Sequence, residues 1–198
     1  MPKISLPEKT PWQQHVAQWC NGCGHTQCGL ARNVILARGS IPCDIIMLGE
    51  APGRGENLLG SPFIGVAGHK LDQIITKAGL DNVKTAFTNM VGCIPLDDND
   101  DKLPEPKEDQ IKQCKPRLEE FINICKPKLI VCVGKLAEKW LDKENKKHVK
   151  YDDSIATTHI LHPAFILRQV EAEQAMLVKE CVINLKSAWR KIISGEKR

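Results

Sequence analysis

Four short apolar runs alternate with amphipathic segments along this chain. The runs have the length of strands and occupy residues 44–48, 85–91, 129–133 and 154–161. The segments between and after them are predicted helices at residues 68–78, 107–125, 135–141 and 171–193. Strands that alternate with helices favour parallel pairing, because parallel neighbours need long crossover connections. The pattern therefore predicts an α/β fold in three layers, with helices on both faces of a central four-stranded parallel sheet.

The length of the chain favours one domain. With 198 residues it can bury a substantial core, so we expect a single domain over residues 1–198. No apolar run approaches the roughly 18 residues that a membrane span requires, and residues 1–12 lack the apolar centre of a signal peptide. We therefore expect a cytoplasmic protein with no membrane partner.

The charge of the chain is unevenly distributed. The net charge is +4, but the loop at residues 97–109 contains seven acidic residues and two lysines. That loop carries −5 and the remainder about +9. A basic body suits a nucleic-acid partner, with the acidic loop held away from the polyanion. A charge that serves only solubility is the alternative.

A glycine-rich loop follows the first predicted strand. Residues 48–65 read LGEAPGRGENLLGSPFIG and include two prolines, two glutamates and a phenylalanine. Open α/β sheets bind their ligands in loops at the carboxyl ends of strands. The loop is therefore predicted to hold a flat, polar ligand between an aromatic face and backbone amides. The alternative is an ordinary surface loop.

Polar residues also end two further strands. Asn89 lies at the end of the second strand and His162 at the end of the fourth. Right-handed crossovers bring the carboxyl ends of parallel strands to one edge of the sheet. We therefore expect Glu50, Glu56 and Phe63 from the glycine-rich loop to meet Asn89 and His162 in one pocket.

Nine cysteines in a cytoplasmic chain need an explanation other than disulfides. Three of them lie in apolar surroundings and are predicted core residues: Cys125, Cys132 and Cys181. Another three lie in a glycine-rich cysteine loop at residues 20–28, outside any apolar run: Cys20, Cys23 and Cys28. This second group is predicted to bind a metal or to act as a redox dithiol.

The motifs at these positions occur in the order found in one enzyme family. A Cys-x-x-Cys pair comes first, then GEAPG at residues 49–53, PFIG-x-AG at 62–68, Thr-Asn at 88–89, and HPAFILR at 162–168. The chain resembles the family 4 uracil-DNA glycosylases, the iron–sulfur type of the uracil-DNA glycosylase superfamily. The likeness extends from about Cys20 to Asn184 and implies a four-stranded parallel sheet flanked by helices.

The resemblance implies a [4Fe–4S] cluster and the cysteines that hold it. By position the ligands are Cys20, Cys23, Cys93 and Cys114, and four thiolates suit such a cluster. Zinc accepts the same ligands and is the alternative cofactor. A redox dithiol at Cys20 and Cys23 is a third reading, although no buried strand precedes this pair. Cys28 is a further candidate that could replace one of the ligands.

The resemblance also implies the reaction, which is hydrolysis of the N-glycosidic bond of uracil in DNA after the nucleotide flips out of the stack. Phe63 would stack on the uracil ring, and Asn89 would read its O4 and N3–H groups. His162, with backbone N–H groups near Ala51, would stabilise negative charge at O2. The structural alternatives are a core role for Phe63, a turn-closing role for Asn89 and a strand-ending role for His162. His159 is the nearby histidine that could be mistaken for the site residue.

Carboxylates and basic residues complete the implied site. Glu50 is the candidate that stabilises the sugar cation or orients water, and Glu56 is placed by position near uracil C5. Arg168 and Lys70 would hold DNA phosphates. A lone arginine in a surface ion pair is the alternative for Arg168.

Two departures from the family pattern bear on activity. Asn57 stands where the family has a second acid, and the acidic loop follows Cys93 where the family has an arginine- and proline-rich stretch. We therefore expect a monomeric uracil-DNA glycosylase acting on single- or double-stranded DNA. The alternatives are a catalytically weak DNA-binding iron–sulfur module of the same fold and a glycosylase for another deaminated base.

Overall fold

The computed structural model describes residues 8–20, 33–95, 103–142 and 149–195. These residues form, in chain order, α1 (Pro11–Trp19), β1 (Arg38–Gly39), β2 (Ile45–Gly49), α2 (Arg54–Leu59), α3 (Val66–Lys77), β3 (Thr85–Asn89), α4 (Glu108–Cys125), β4 (Leu129–Val133), α5 (Lys135–Leu141), β5 (Ala156–Ile160), α6 (Pro163–Leu167) and α7 (Glu171–Ser194). Cys23, Cys28 and residues 97–102 of the acidic loop lie outside the described part of the chain.

The sheet has the strand order β1-β3-β2-β4-β5. Strands β2 to β5 are mutually parallel, which confirms the predicted four-stranded parallel core. The predicted number of strands is corrected from four to five, because Arg38–Gly39 pairs antiparallel with β3 at the edge. Two residues are too few to show a period of two in the sequence, so the pattern could not reveal this strand.

Two hydrophobic clusters cover the two faces of the sheet. One joins the sheet to α4 and α5, with Trp12 of α1 packed against it. The other joins the sheet to α3, α6 and α7. Strands β2 and β4 are buried along their whole length because both faces are covered. The three-layer α/β/α architecture is therefore confirmed.

Three helices lie where the sequence predicts none. Helix α1 begins with a capping box between Thr10 and Gln13 and buries His15 and Trp19 on the side of α4. Most residues of α1 are polar, so the sequence does not indicate this buried face. Helix α2 lies inside the glycine-rich loop, and α6 follows His162 directly. Both have six residues or fewer, which is too short for a helical period to emerge.

Helix α4 begins at Glu108, so the last two residues of the predicted acidic loop belong to a helix. Acidic side chains in a first turn interact favourably with the helix dipole. In the described part of the chain, no helix is long and apolar enough to cross a membrane.

Candidate active site

The carboxyl ends of β2 and β3 meet at Gly49 and Asn89, which are directly opposite in the parallel register. A Cβ atom placed on Gly49 would collide with Asn89 Oδ1 and would lie 2.5 Å from Phe63 Cζ. The asparagine amide and the phenylalanine ring therefore converge on the same small space. Only glycine at position 49 leaves that space open.

Asn89 has a buried amide with an unused donor. Asn89 is 2% exposed, and its Nδ2 has no hydrogen-bond partner among the described residues. An unsatisfied buried donor costs about 1–3 kcal/mol. Such a group persists in a site where a ligand can satisfy it.

Phe63 is held in an uncommon backbone conformation. Its φ is 55°, in the left-handed region that a bulky residue rarely adopts. The N–H of Phe63 donates to Glu56 Oε1 at 2.7 Å, and its carbonyl accepts from Arg38 Nη2 at 3.1 Å. The centroid of the Phe63 ring lies 5.9 Å from the centroid of the Phe87 ring. These contacts fix the ring beside Gly49 in spite of the backbone strain.

Glu56 uses both carboxylate oxygens within the loop. Oε1 accepts from Phe63 and Oε2 accepts from the N–H of Gly53 at 3.1 Å, at the start of α2. Burial raises the pKa of Glu56, and the two hydrogen bonds and the charge of Arg38 oppose that shift. Its predicted contact with uracil stays a prediction, while the geometry shows a carboxylate that positions Phe63.

Glu50 and Ala51 follow β2 directly and are half-buried. Burial raises the pKa of Glu50, and the negative charge of Glu105 raises it further. Glu105 comes from the described end of the acidic loop. The sequence does not show that this loop returns toward the end of β2, so it did not predict a second carboxylate near Glu50.

His162 has a defined tautomer. It precedes α6, and its Nδ1 accepts from the N–H of Ala164 at 3.2 Å. Burial lowers the pKa of His162, and the charge of Arg168 lowers it further. The ring is therefore neutral at pH 7, and the remaining proton lies on Nε2, which can donate to a ligand.

Gly134, at the end of β4, allows the close approach of His162. A Cβ atom on Gly134 would lie 3.2 Å from the Cβ of His162, and its φ of 98° also favours glycine. By contrast, the side chain of His159 is 59% exposed and lies 3.1 Å from Glu138 Oε1. His159 of β5 therefore makes a surface contact with Glu138 of α5.

The predicted DNA-binding residues lie on two helices. Arg168 is exposed at the end of α6, and its charge affects His162. Lys70 is half-buried in α3. No contact shows whether either residue reaches a phosphate, so these roles stay predictions.

The predicted cluster ligands are partly described. Cys20 is exposed at the end of α1, whereas Cys93 and Cys114 are buried. Among the described residues, no three His, Cys, Asp or Glu side chains are grouped to hold a metal ion. The Sγ of Cys114 accepts from Gly92 N and from Arg117 Nε, both at 3.3 Å. Two N–H donors on one sulfur fit a metal-bound thiolate.

A concave surface in the described part of the chain lies away from this site. A groove of about 1000 Å³ runs between β5 and α7, with Lys126, Lys128 and Lys191 in its wall. Its lining from the first residues of β4 and β5 places it toward the opposite end of the sheet from Asn89. The unpartnered amide of Asn89 beside the ring of Phe63 marks the candidate site better than size does.

Comparison with known proteins agrees with this geometry. The model of the uracil DNA glycosylase superfamily matches residues 37–186, so the chain belongs to that superfamily. The type-4 uracil-DNA glycosylase of Sulfurisphaera tokodaii is 37% identical over 55% of this chain and 48% of its own length. That of Saccharolobus solfataricus is 34% identical over 57% and 50%. The chain spans about half the length of these two relatives.

Other comparisons cover more of the chain. The type-4 uracil-DNA glycosylase of Thermotoga maritima is 26% identical over 80% of this chain and 84% of its own. The resemblance to family 4 is therefore confirmed. The crystal structure of SMUG2 from Pedobacter heparinus has a TM-score of 0.57 over 75% of this chain and 76% of that one, at 15% identity. This likeness supports the fold.

Proposed function

We propose that the protein is a uracil-DNA glycosylase that hydrolyses the N-glycosidic bond of a flipped deoxyuridine and leaves an abasic site. The observation that carries this proposal is the buried, unpartnered Nδ2 of Asn89 beside the ring of Phe63 at Gly49. A flat base with an acceptor at its edge satisfies that donor and fills that space. Membership of the superfamily supports the same conclusion.

Base selection follows from the amide of Asn89. Its Nδ2 donates to uracil O4 and its Oδ1 accepts from N3–H. Cytosine presents a donor and an acceptor at these two positions, so both contacts would become repulsive. A site with buried hydrogen bonds discriminates strongly, because a wrong base leaves polar groups unpaired. Stacking on Phe63 adds about 1–3 kcal/mol without regard to base identity.

His162 stabilises the leaving group. Negative charge develops on the uracil ring as the bond to the sugar breaks, and Nε2–H donates to O2. A neutral ring performs this role without taking a proton, and its low pKa keeps it neutral. Backbone N–H groups near Ala51 add to the same stabilisation.

Glu50 acts on the sugar side. An ionised carboxylate stabilises the cation that forms at the sugar or orients the attacking water. Glu56 holds Phe63 and the start of α2 in place, next to the position of uracil C5. Arg168 and Lys70 bind DNA phosphates of a single- or double-stranded substrate.

A [4Fe–4S] cluster held by Cys20, Cys23, Cys93 and Cys114 is part of the proposal, with zinc as the alternative. When bound, the cluster links segments of the chain and supplies no reactive group. Iron and acid-labile sulfide together identify the cluster, and stoichiometric zinc would identify the alternative. We also propose a single-domain monomer that acts in the cytoplasm on nucleoid DNA.

The test is release of free bases from single- and double-stranded oligonucleotides that contain uracil, hypoxanthine or no lesion. We expect uracil release by the parent, and a loss of about 100-fold or more in Asn89→Ala and in His162→Ala, the size typical of losing a buried or oxyanion contact. His159→Ala, with the exposed decoy histidine, is the matched control and should keep full activity.

Three outcomes would contradict the proposal. No release of any base with intact DNA binding would indicate the DNA-binding module. Preferential release of hypoxanthine would indicate a glycosylase for another deaminated base. Full activity of both site variants would show that the site lies elsewhere.

A further inference from the structure

Arg117 is an unusually buried charge that the proposed reaction does not use. It lies on α4 and is 1% exposed. No carboxylate of the described residues forms an ion pair with it, and its hydrogen bonds go to a sulfur, a hydroxyl and two carbonyl groups. A buried guanidinium is costly without a negative partner, so this arrangement calls for a role.

One end of the Arg117 side chain binds the end of β3. Nη2 donates to the carbonyl oxygens of Asn89 at 2.5 Å and Met90 at 3.3 Å. Nη1 donates to Thr88 Oγ1 at 3.3 Å, and that hydroxyl donates in turn to the carbonyl of Leu36 at 2.6 Å. Three consecutive residues are therefore anchored, and the central one carries the unpartnered amide of the candidate site.

The other end of the side chain binds a predicted cluster ligand. Nε donates to Cys114 Sγ at 3.3 Å. Gly92, whose N–H donates to the same sulfur, leaves room for the guanidinium, since a Cβ there would lie 3.3 Å from Nε. Among the described residues, the sulfur of Cys114 is the one acceptor of Arg117 that would carry a negative charge as a metal ligand, and such a thiolate would compensate the buried guanidinium.

We propose that Arg117 is a positioning residue that couples the sulfur of Cys114 to the backbone of Asn89. The sulfur accepts from Nε, and Nη2 of the same guanidinium holds the Asn89 carbonyl so that the amide points into the pocket. Release of a metal from Cys114 would weaken the contact with Nε, because a thiol is a weaker acceptor than a thiolate, and would loosen the amide. The role in uracil selection rests on the proposed function, whereas the coupling itself does not.

Arg117→Lys is the main test, because one ammonium nitrogen cannot span from Cys114 Sγ to the Asn89 carbonyl. Lys112→Met, on the exposed side of the same helix, is the control. Binding is measured to DNA with a non-hydrolysable 2′-fluoro-deoxyuridine and to the same DNA with cytosine in its place. We expect about a tenfold loss of the uracil preference, the size of one hydrogen bond to a charged group, and unchanged affinity for the cytosine DNA.

A double-mutant cycle separates positioning from general damage. If Arg117 acts through Asn89, then Arg117→Lys has no further effect on uracil preference in an Asn89→Ala background. Additive effects would overturn the proposal. An unchanged uracil preference in Arg117→Lys, or an equal loss for uracil and cytosine DNA, would also overturn it.

A spectroscopic measurement tests the coupling without any activity. The side-chain amide resonances of Asn89 should shift on Arg117→Lys and on removal of the metal, and the visible spectrum of the metal site should change in Arg117→Lys but not in Lys112→Met. Unmoved resonances would refute the coupling. Shifted resonances in a protein that releases no uracil would refute the proposed function alone.

Discussion

Gly49 shows how a single missing side chain makes the pocket. The two groups proposed to read the base both lie against its Cα, one from β3 and one from the glycine-rich loop. A side chain at this position would fill the space proposed for the base. The sequence placed Gly49 in a motif, but only the packing explains why glycine is required there.

Gly49→Ala should therefore impair catalysis more than folding. The added methyl group displaces the amide of Asn89 or the ring of Phe63, and overpacking of this kind costs about 1–3 kcal/mol. We expect kcat/KM for uracil release to fall about tenfold or more. Gly55→Ala, where a Cβ meets no atom within 4 Å, is the control. Equal activity of the two variants would contradict the geometry of the pocket.

We expect the pKa of Glu50 to determine the acid side of the pH profile. A carboxylate that must be ionised gains activity as the pH rises through its pKa, and burial and Glu105 both raise that pKa. His162 has the opposite shift and is already neutral near pH 7. Acid conditions protonate Glu50, and we expect activity to fall as the pH decreases through its raised pKa.

Glu105→Gln should move the acid limb of kcat/KM to lower pH. Removing the negative charge lowers the pKa of Glu50, because a neighbouring anion no longer opposes its ionisation. Asp109→Asn, at an exposed acid in the first turn of α4, should leave the profile unchanged. A limb that stays in place in Glu105→Gln would show that another group controls it.

Helix α2 holds the backbone around Phe63 in place beside the candidate site. This six-residue helix contains Glu56. The two carboxylate oxygens of Glu56 accept hydrogen bonds from the backbone N–H groups of Gly53 and Phe63. Arg38 supports the same segment from β1 by donating to the carbonyl of Pro62 at 2.8 Å. A stretch that looks like a flexible loop in sequence is therefore an anchored element.

Glu56→Gln should loosen this element. The amide of glutamine has one acceptor oxygen, so one of the two N–H groups loses its partner at a cost of about 1–2 kcal/mol. For a chain of this size we expect the melting temperature to fall by about 2–4 °C per kcal/mol, together with weaker binding of uracil DNA. Glu171→Gln, an exposed first-turn acid of α7, is the control. A lower melting temperature with unchanged uracil binding would show that Glu56 does not position Phe63 for binding.

At the scale of the whole molecule, the candidate active site and the proposed cluster ligands occupy different parts of the fold. The ends of β2, β3 and β5 carry the candidate active site, whereas α1 and α4, on one face, carry Cys20 and Cys114. Trp19 of α1 donates to Glu120 of α4 at 2.9 Å and joins the two helices. The proposed cluster would therefore stabilise one layer of the fold.

Serine variants should separate metal ligands from core cysteines. Cys93→Ser and Cys114→Ser should lose iron and sulfide and unfold at lower temperature, because a hydroxyl is a poor ligand for the cluster. Cys181→Ala, on the buried side of α7, should lose stability because of the cavity that it leaves, but the protein should keep its metal. Iron content that does not change in the serine variants would show that these residues are not ligands.

The sequence by itself determined the layered α/β fold, the bounds of most strands and helices, and the strand ends where Asn89 and His162 lie. Those features follow from local periodicity and from the fixed hand of parallel crossovers. Tertiary structure alone decided that Glu56 grips Phe63, that Glu105 approaches Glu50 and that Arg117 reaches the carbonyl of Asn89. These contacts join residues far apart in the chain or in short irregular segments, and their geometry depends on how the helices pack against the sheet.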